Sequence, residues 1–120
     1  MAMIREDIEK AIEAASRARK PVSLPGADLR WSDLSGLDLS GADLSGAVLA
    51  GASLREADLS GADLSQADLQ GADLEEAVLD DASLAEADVA GANFRGASLV
   101  GADLEGVNLD EALLDGARFL

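Results

Sequence analysis

The sequence predicts an all-β solenoid preceded by one short α-helix, and three observations carry that reading. A five-residue pattern, small apolar, polar, Leu, variable, Gly, repeats in fixed register from Val22 to Leu120. All twelve glycines stand at one position of that pattern, two residues after its centre. Ahead of it, residues 3–19 change to helical spacing, and Pro21 and Pro25 separate the two regimes by forbidding the helix to continue.

The leader comes first in the chain. Met3, Ile4, Ile8, Ala11, Ile12 and Ala15 recur at helical intervals, with Arg5, Glu6, Glu9, Lys10 and Glu13 on the opposite side. Acids precede bases, as the helix macrodipole prefers. The division is therefore 1–21 for an amphipathic capping helix and 22–120 for the repeat. An Ile4/Ile8/Ile12 stripe is expected to cover the open top of the first repeat layer, because an uncovered solenoid end exposes apolar core and unpaired backbone. A lipid-surface helix would carry more cations and a bulky anchor, so membrane attachment is not expected.

The repeat centres on Leu64 and steps by five. The centres are Leu24, Leu29, Leu34, Leu39, Leu44, Leu49, Leu54, Leu59, Leu69, Leu74, Leu79, Leu84, Val89, Phe94, Leu99, Leu104, Leu109, Leu114 and Phe119. With the centre as position i, position i−2 is mostly Ala, and in an extended segment two residues two apart point to the same side. Both must face inward. Position i−1 is mostly Asp, Asn or Ser and points outward. A residue kept as Gly at i+2 marks a corner with φ > 0, as the third residue of a type II turn requires. Where Trp31, Glu56, Gln66, Glu76, Asp81, Glu86 or Glu111 stands there instead, a different turn type that tolerates a side chain is expected.

Units such as Ala42-Asp43-Leu44, Ala62-Asp63-Leu64 and Ala92-Asn93-Phe94 resemble the A-(D/N)-L-x-x pattern of the pentapeptide repeat family, over about residues 22–120. The resemblance implies a right-handed quadrilateral parallel β-helix in which four pentapeptides close one coil and residues twenty apart stack. Five coils follow. Val22, Ser32, Leu37 and Val107 at i−2, and Val48, Val78, Leu113 and Arg118 at i−1, depart from the pattern.

Composition narrows function. There is no Cys, hence no disulfide frame or thiol chemistry, and no His, hence the commonest general base and metal ligand is missing. Neither a signal peptide nor an 18-residue apolar run is present, and a cytoplasmic protein is expected. The repeat region holds 20 acids against four arginines. No stacked face is basic, so direct nucleic-acid binding through phosphates is not expected. Outward carboxylates on a convex surface lack a pocket to shift a pKa, so no enzyme, cofactor or specific metal is expected.

Two surfaces are singled out. An acidic partner-facing column gathers Asp43, Asp63, Glu86, Asp103 and Glu105 with no base. An apolar C-terminal end gathers Val100, Leu104, Leu109, Leu113, Leu114, Phe119 and Leu120, where an end-to-end homodimer of two last coils is expected. A further column, Ser35, Arg55, Glu75, Arg95 and Asp115, should form a weak ion-pair ladder. The leading functional expectation is a structural or protein-interaction module with an acidic, solubilising surface. The alternative, which the resemblance implies through the family's quinolone-resistance proteins, is a mimic of duplex DNA that binds DNA gyrase or topoisomerase. Five coils at about 4.8 Å spread the charge at roughly one per 1.5 Å, close to the value of about one per 1.7 Å for the duplex.

Overall fold

Backbone hydrogen bonding accounts for the architecture, and one unit shows how. The N–H of Leu64 donates to Ser83 O one coil on (2.7 Å), that of Asp63 to Ala42 O one coil back (2.8 Å), and that of Gln66 to Ala85 O (2.9 Å). Ala67 N–H closes the corner onto Leu64 O (3.0 Å). Only the N–H of Ser65 has no backbone acceptor, and it donates to Asp63 Oδ1 at 2.9 Å. Every donor of the unit is thus placed, as burial of a backbone demands.

That Asp bond recurs along the rod. Asp33, Asp38, Asp43, Asp58, Asp68, Asp73, Asp88, Asn93, Asp103 and Asn108 each accept the N–H two residues on. The polar i−1 position therefore has a local job, the side-chain turn that Asp and Asn form with their own backbone. In five units a Ser at i+1 adds its hydroxyl to the same oxygen, as Ser45 Oγ does to Asp43 Oδ1 at 2.6 Å.

The computed structural model describes residues 3–120, so the first two positions of the 1–21 leader lie outside the described residues. Fifteen parallel bridges join the coils, each between residues twenty apart, from Ser23↔Asp43 to Ser98↔Arg118. Four sides and four corners thus make one coil. Leu29 to Leu99 and the alanines Ala42 to Ala97 line a continuous buried core. Each buried Leu contributes roughly 1.5–3 kcal/mol. In the fourth layer Phe94 is offset by the smaller Val89, both 1% exposed.

The corners correct one expectation. Trp31, Glu56, Gln66, Glu76, Asp81 and Glu86 do not adopt another turn type; their φ values of 59–62° match the left-handed geometry of the glycines. The inter-coil ladder on both sides of each corner fixes the backbone there, and the local preference of the side chain yields to it. Space for these side chains comes from the next coil. A Cβ built at Gly51 would fall 2.2 Å from the Trp31 ring, and one at Gly101 would fall 2.3 Å from Asp81 Oδ1. Trp31, Glu76, Asp81 and Glu86 therefore lie over the glycine of the next coil, whereas Glu56 and Gln66 stand above Glu76 and Glu86.

The leader forms α1, Arg5–Arg17. Ile8 is fully buried in the core cluster, and Met3, Ile12 and Ala15 pack against it. Ile4 does not join them. As the extended residue before the helix (φ −91°, ψ 160°) it turns away and stays 61% exposed. The first coil has carbonyls that a preceding coil would otherwise satisfy, and the leader supplies donors to three of them: Met3 N–H to Asp28 O (3.1 Å), and Arg5 Nη1 to Asp33 O (3.0 Å) and Ser35 O (3.2 Å).

At the other end the ladder slips. No bridge joins Asp88 to Asn108, and Gly91 N–H donates to Glu111 O rather than to the residue before it. Glu111 is also the one non-glycine corner residue without positive φ. The lapse falls at residues 107–111, in the unit where Val107 replaces the usual Ala and packs half-buried against the core.

Candidate interaction surfaces

The acidic column is assembled by stacking. The bridge Asp43↔Asp63 sets those two carboxylates one above the other, whereas Ser83 separates Asp63 from Asp103. Asp43 and Asp63 each use Oδ1 for their own Ser, and among the described residues their Oδ2 atoms accept nothing. The Ser45 hydroxyl and N–H hold the Asp43 carboxyl below the ordinary aspartate range. Glu86 stands on the corner, takes a long bond from Gln66 Nε2 (3.4 Å) and leans over Gly106. Asp103 and Glu105 are exposed at the last coil, with Glu105 N–H on Asp103 Oδ1 (3.0 Å). None of the five makes an ion pair among the described residues, and no metal-holding cluster is found there.

The other acidic faces are partly neutralised. Arg30 forks onto Asp28 through Nε (2.9 Å) and Nη2 (2.8 Å) and lowers that carboxyl from 3.8 to about 2. The expected ladder is incomplete. Arg55 is held by both Asp73 (2.9 Å) and Glu75, while Arg95 reaches only Asp115, at 3.9 Å. Arg55 thereby bridges two columns rather than continuing one.

At the C-terminal end the singled-out residues divide into two groups. Val100 (37%), Leu113 (43%), Phe119 (37%) and Leu120 are exposed, whereas Leu104, Leu109 and Leu114 are half-buried against the core. In earlier coils the central N–H donates to the next coil, Val89 beside the slipped segment excepted. Among the described residues those of Leu104, Leu109 and Leu114 have no backbone acceptor.

Sequence reasoning missed one exposed feature, Trp31, which it treated only as a corner exception. The indole is 80% exposed and covers Gly51. A lone aromatic at a position otherwise given to Gly, Gln or acidic residues was the available signal.

A ladder of twenty-residue coils, an alanine-lined axis and an uninterrupted five-residue register define a β-helical repeat solenoid. The chain belongs to the pentapeptide repeat family, whose pattern it matches in 8 copies over residues 23–61, 42–81, 57–96 and 77–116. Members of this family fold as right-handed quadrilateral β-helices. Among solved structures, it is 41% identical to HetL, a pentapeptide repeat protein involved in heterocyst differentiation regulation from the cyanobacterium Nostoc sp. strain PCC 7120 (81% of this chain, 46% of that one, TM-score 0.77). It is 38% identical to the pentapeptide repeat protein Rfr23 from the cyanobacterium Cyanothece 51142 (78% and 65%, TM-score 0.76). It is 30% identical to QnrB1, a plasmid-mediated fluoroquinolone resistance protein (76% and 44%, TM-score 0.72). The chain therefore spans less than two thirds of each of these three proteins. No sequence among curated proteins matches it.

Proposed function

We propose that this chain is a non-enzymatic protein-interaction module with an acidic working surface, capped at its N-terminal end by α1. The observation that supports this most directly is the uncompensated column of Asp43, Asp63, Glu86, Asp103 and Glu105, stacked on a rigid frame with no cation beside it. Fixed carboxylates of one sign steer a basic partner and fix its orientation. A carboxyl held below its ordinary range, as at Asp43, stays ionised at neutral pH and is a poor proton donor. Affinity capture with wild type and with Asp43→Asn/Asp63→Asn/Asp103→Asn tests the reading. Partners retained by wild type and lost by the triple variant support it; partners indifferent to the three charges overturn it.

The second reading is duplex mimicry toward DNA gyrase or topoisomerase, favoured by the likeness to QnrB1 and by the charge spacing. We rank it second because the chain spans only 44% of that protein. The expected result is no inhibition of gyrase supercoiling at low micromolar protein. Salt-sensitive inhibition, weakened by the same three Asn substitutions, reverses the order.

A second copy is the proposed occupant of the end formed by Val100, Leu113, Phe119 and Leu120. Two such ends meeting about a two-fold axis would pair the free edge donors and bury the apolar side chains together. Sedimentation should show a wild-type dimer that Phe119→Asp/Leu114→Glu dissociates. A wild-type monomer at high micromolar concentration overturns this assembly.

A further inference from the structure

Trp31 combines three properties that together need an explanation. It is the only Trp, it is 80% exposed, and it occupies a left-handed corner at φ 61°. That conformation costs an L-residue roughly 1–2 kcal/mol, which Gly avoids. Below it in the same column stand Gly51, over which the indole lies, then Gly71 and Gly91, flanked by Ala50, Gln70 and Ala90, with Gln70 tied to Asp68 Oδ1 through Nε2 (3.1 Å). The result is a strip about 14 Å long at about 4.8 Å per coil, roofed by the indole over its first glycine and open at Gly71 and Gly91.

Charge along this strip is one-sided. Arg30, beside the indole, is already forked onto Asp28. Asp68 and Asp88 stack on one flank, each accepting its own turn's N–H at Oδ1, where Asp68 also takes Gln70 Nε2, and neither has an ion-pair partner among the described residues. A strip of that length takes four or five residues of extended chain at about 3.3 Å each.

We infer that the corner headed by Trp31 is a docking strip for an extended, cationic segment of a partner protein, with the indole as its apolar anchor. An apolar side chain of the segment packs on the free face of the indole, the backbone lies along the glycines, and lysine or arginine side chains reach Asp68 and Asp88. Trp is the residue type most enriched at such anchors, and a flat region free of side chains lets a backbone approach closely. The inference rests on the reading of the chain as a protein-interaction module, and it assigns a surface separate from the Asp43/Asp63/Asp103 column.

A fluorescein-labelled octapeptide alternating lysine and leucine is the probe, with an alternating lysine and serine peptide of equal charge as control. Anisotropy reads affinity, and the single Trp reports on the strip directly. The lysine-leucine peptide should bind, shift Trp31 emission to the blue, and bind more tightly than its serine counterpart. Trp31→Gly keeps the corner, because Gly is the residue type of the three positions below, and should weaken binding about tenfold or more. Asp68→Asn/Asp88→Asn should weaken it several-fold and reduce its salt dependence. Equal binding by Trp31→Gly, equal binding of the two peptides, or no binding overturns the inference. If binding survives Trp31→Gly but is lost in Asp43→Asn/Asp63→Asn/Asp103→Asn, the docking strip fails while the interaction module stands.

Discussion

Two glycines of identical backbone geometry should respond differently to the same substitution. Gly51 and Gly61 have φ of 67° and 66°, but a Cβ at Gly61 meets nothing within 4 Å, whereas one at Gly51 falls 2.2 Å from the Trp31 ring. Gly61→Ala therefore carries only the left-handed penalty, roughly 1–2 kcal/mol, offset by about 0.4–1 kcal/mol of lost freedom in the unfolded chain. Gly51→Ala carries the same net cost and also lifts the indole off its seat. With 80% of Trp31 exposed, about a fifth of its surface is covered. On a side chain of roughly 250 Å² that is about 50 Å², or about 1 kcal/mol at about 25 cal/mol per Å². Urea denaturation followed by circular dichroism should place Gly51→Ala about 1 kcal/mol below Gly61→Ala. The difference should vanish in a Trp31→Gly background. Equal losses in the wild-type background, or a difference that persists without Trp31, would refute the stacking of corner side chains on the coil below.

The fourth core layer should show compensation. Phe94→Leu leaves space and Val89→Leu overfills it, each costing about 1–2 kcal/mol, while the double variant restores the four-Leu layer. A coupling energy of about 1 kcal/mol or more is expected from the cycle, and strict additivity would mean that the two side chains do not share volume. Acid should unfold the rod in a defined window. The folded-state values of Asp28, Asp33, Asp38 and Asp43 lie below the ordinary 3.8, with Asp28 at about 2. Depressed carboxyls contribute stability that is fully present above 3.8 and is lost as pH falls toward 2. Denaturation midpoints should therefore fall between those pH values, and a flat profile there would show that the Ser and Arg contacts do not persist in solution.

Periodicity made the inward side of the chain and its corners legible. A five-residue register with Ala and Leu two apart admits one inward side, and a glycine in most corners marks where the chain turns. Face membership, and with it the grouping of Asp43 with Asp63, came from the resemblance to the pentapeptide repeat family, which implies four units to a coil; a five-residue repeat alone does not fix that number. Ile8 and Ile12 were readable from their spacing, being on the apolar side of a periodic helix.

What the repeat does not encode is how one coil meets the next, and there only the tertiary structure decides. Corner residues such as Glu76 and Asp81 were expected to change the turn, but inter-coil bonds on either side hold them at positive φ. The i−1 aspartates read as free surface charge, yet each spends one oxygen on the N–H that the ladder leaves over. Ile4 turns outward because the residue before the helix is extended, which helical spacing alone does not reveal. The lapse of the ladder at residues 107–111 interrupts no sequence register and shows only in the bonds between coils. Local pattern sets which side of the chain is inside; contacts twenty residues apart set what every remaining hydrogen bond and corner must do.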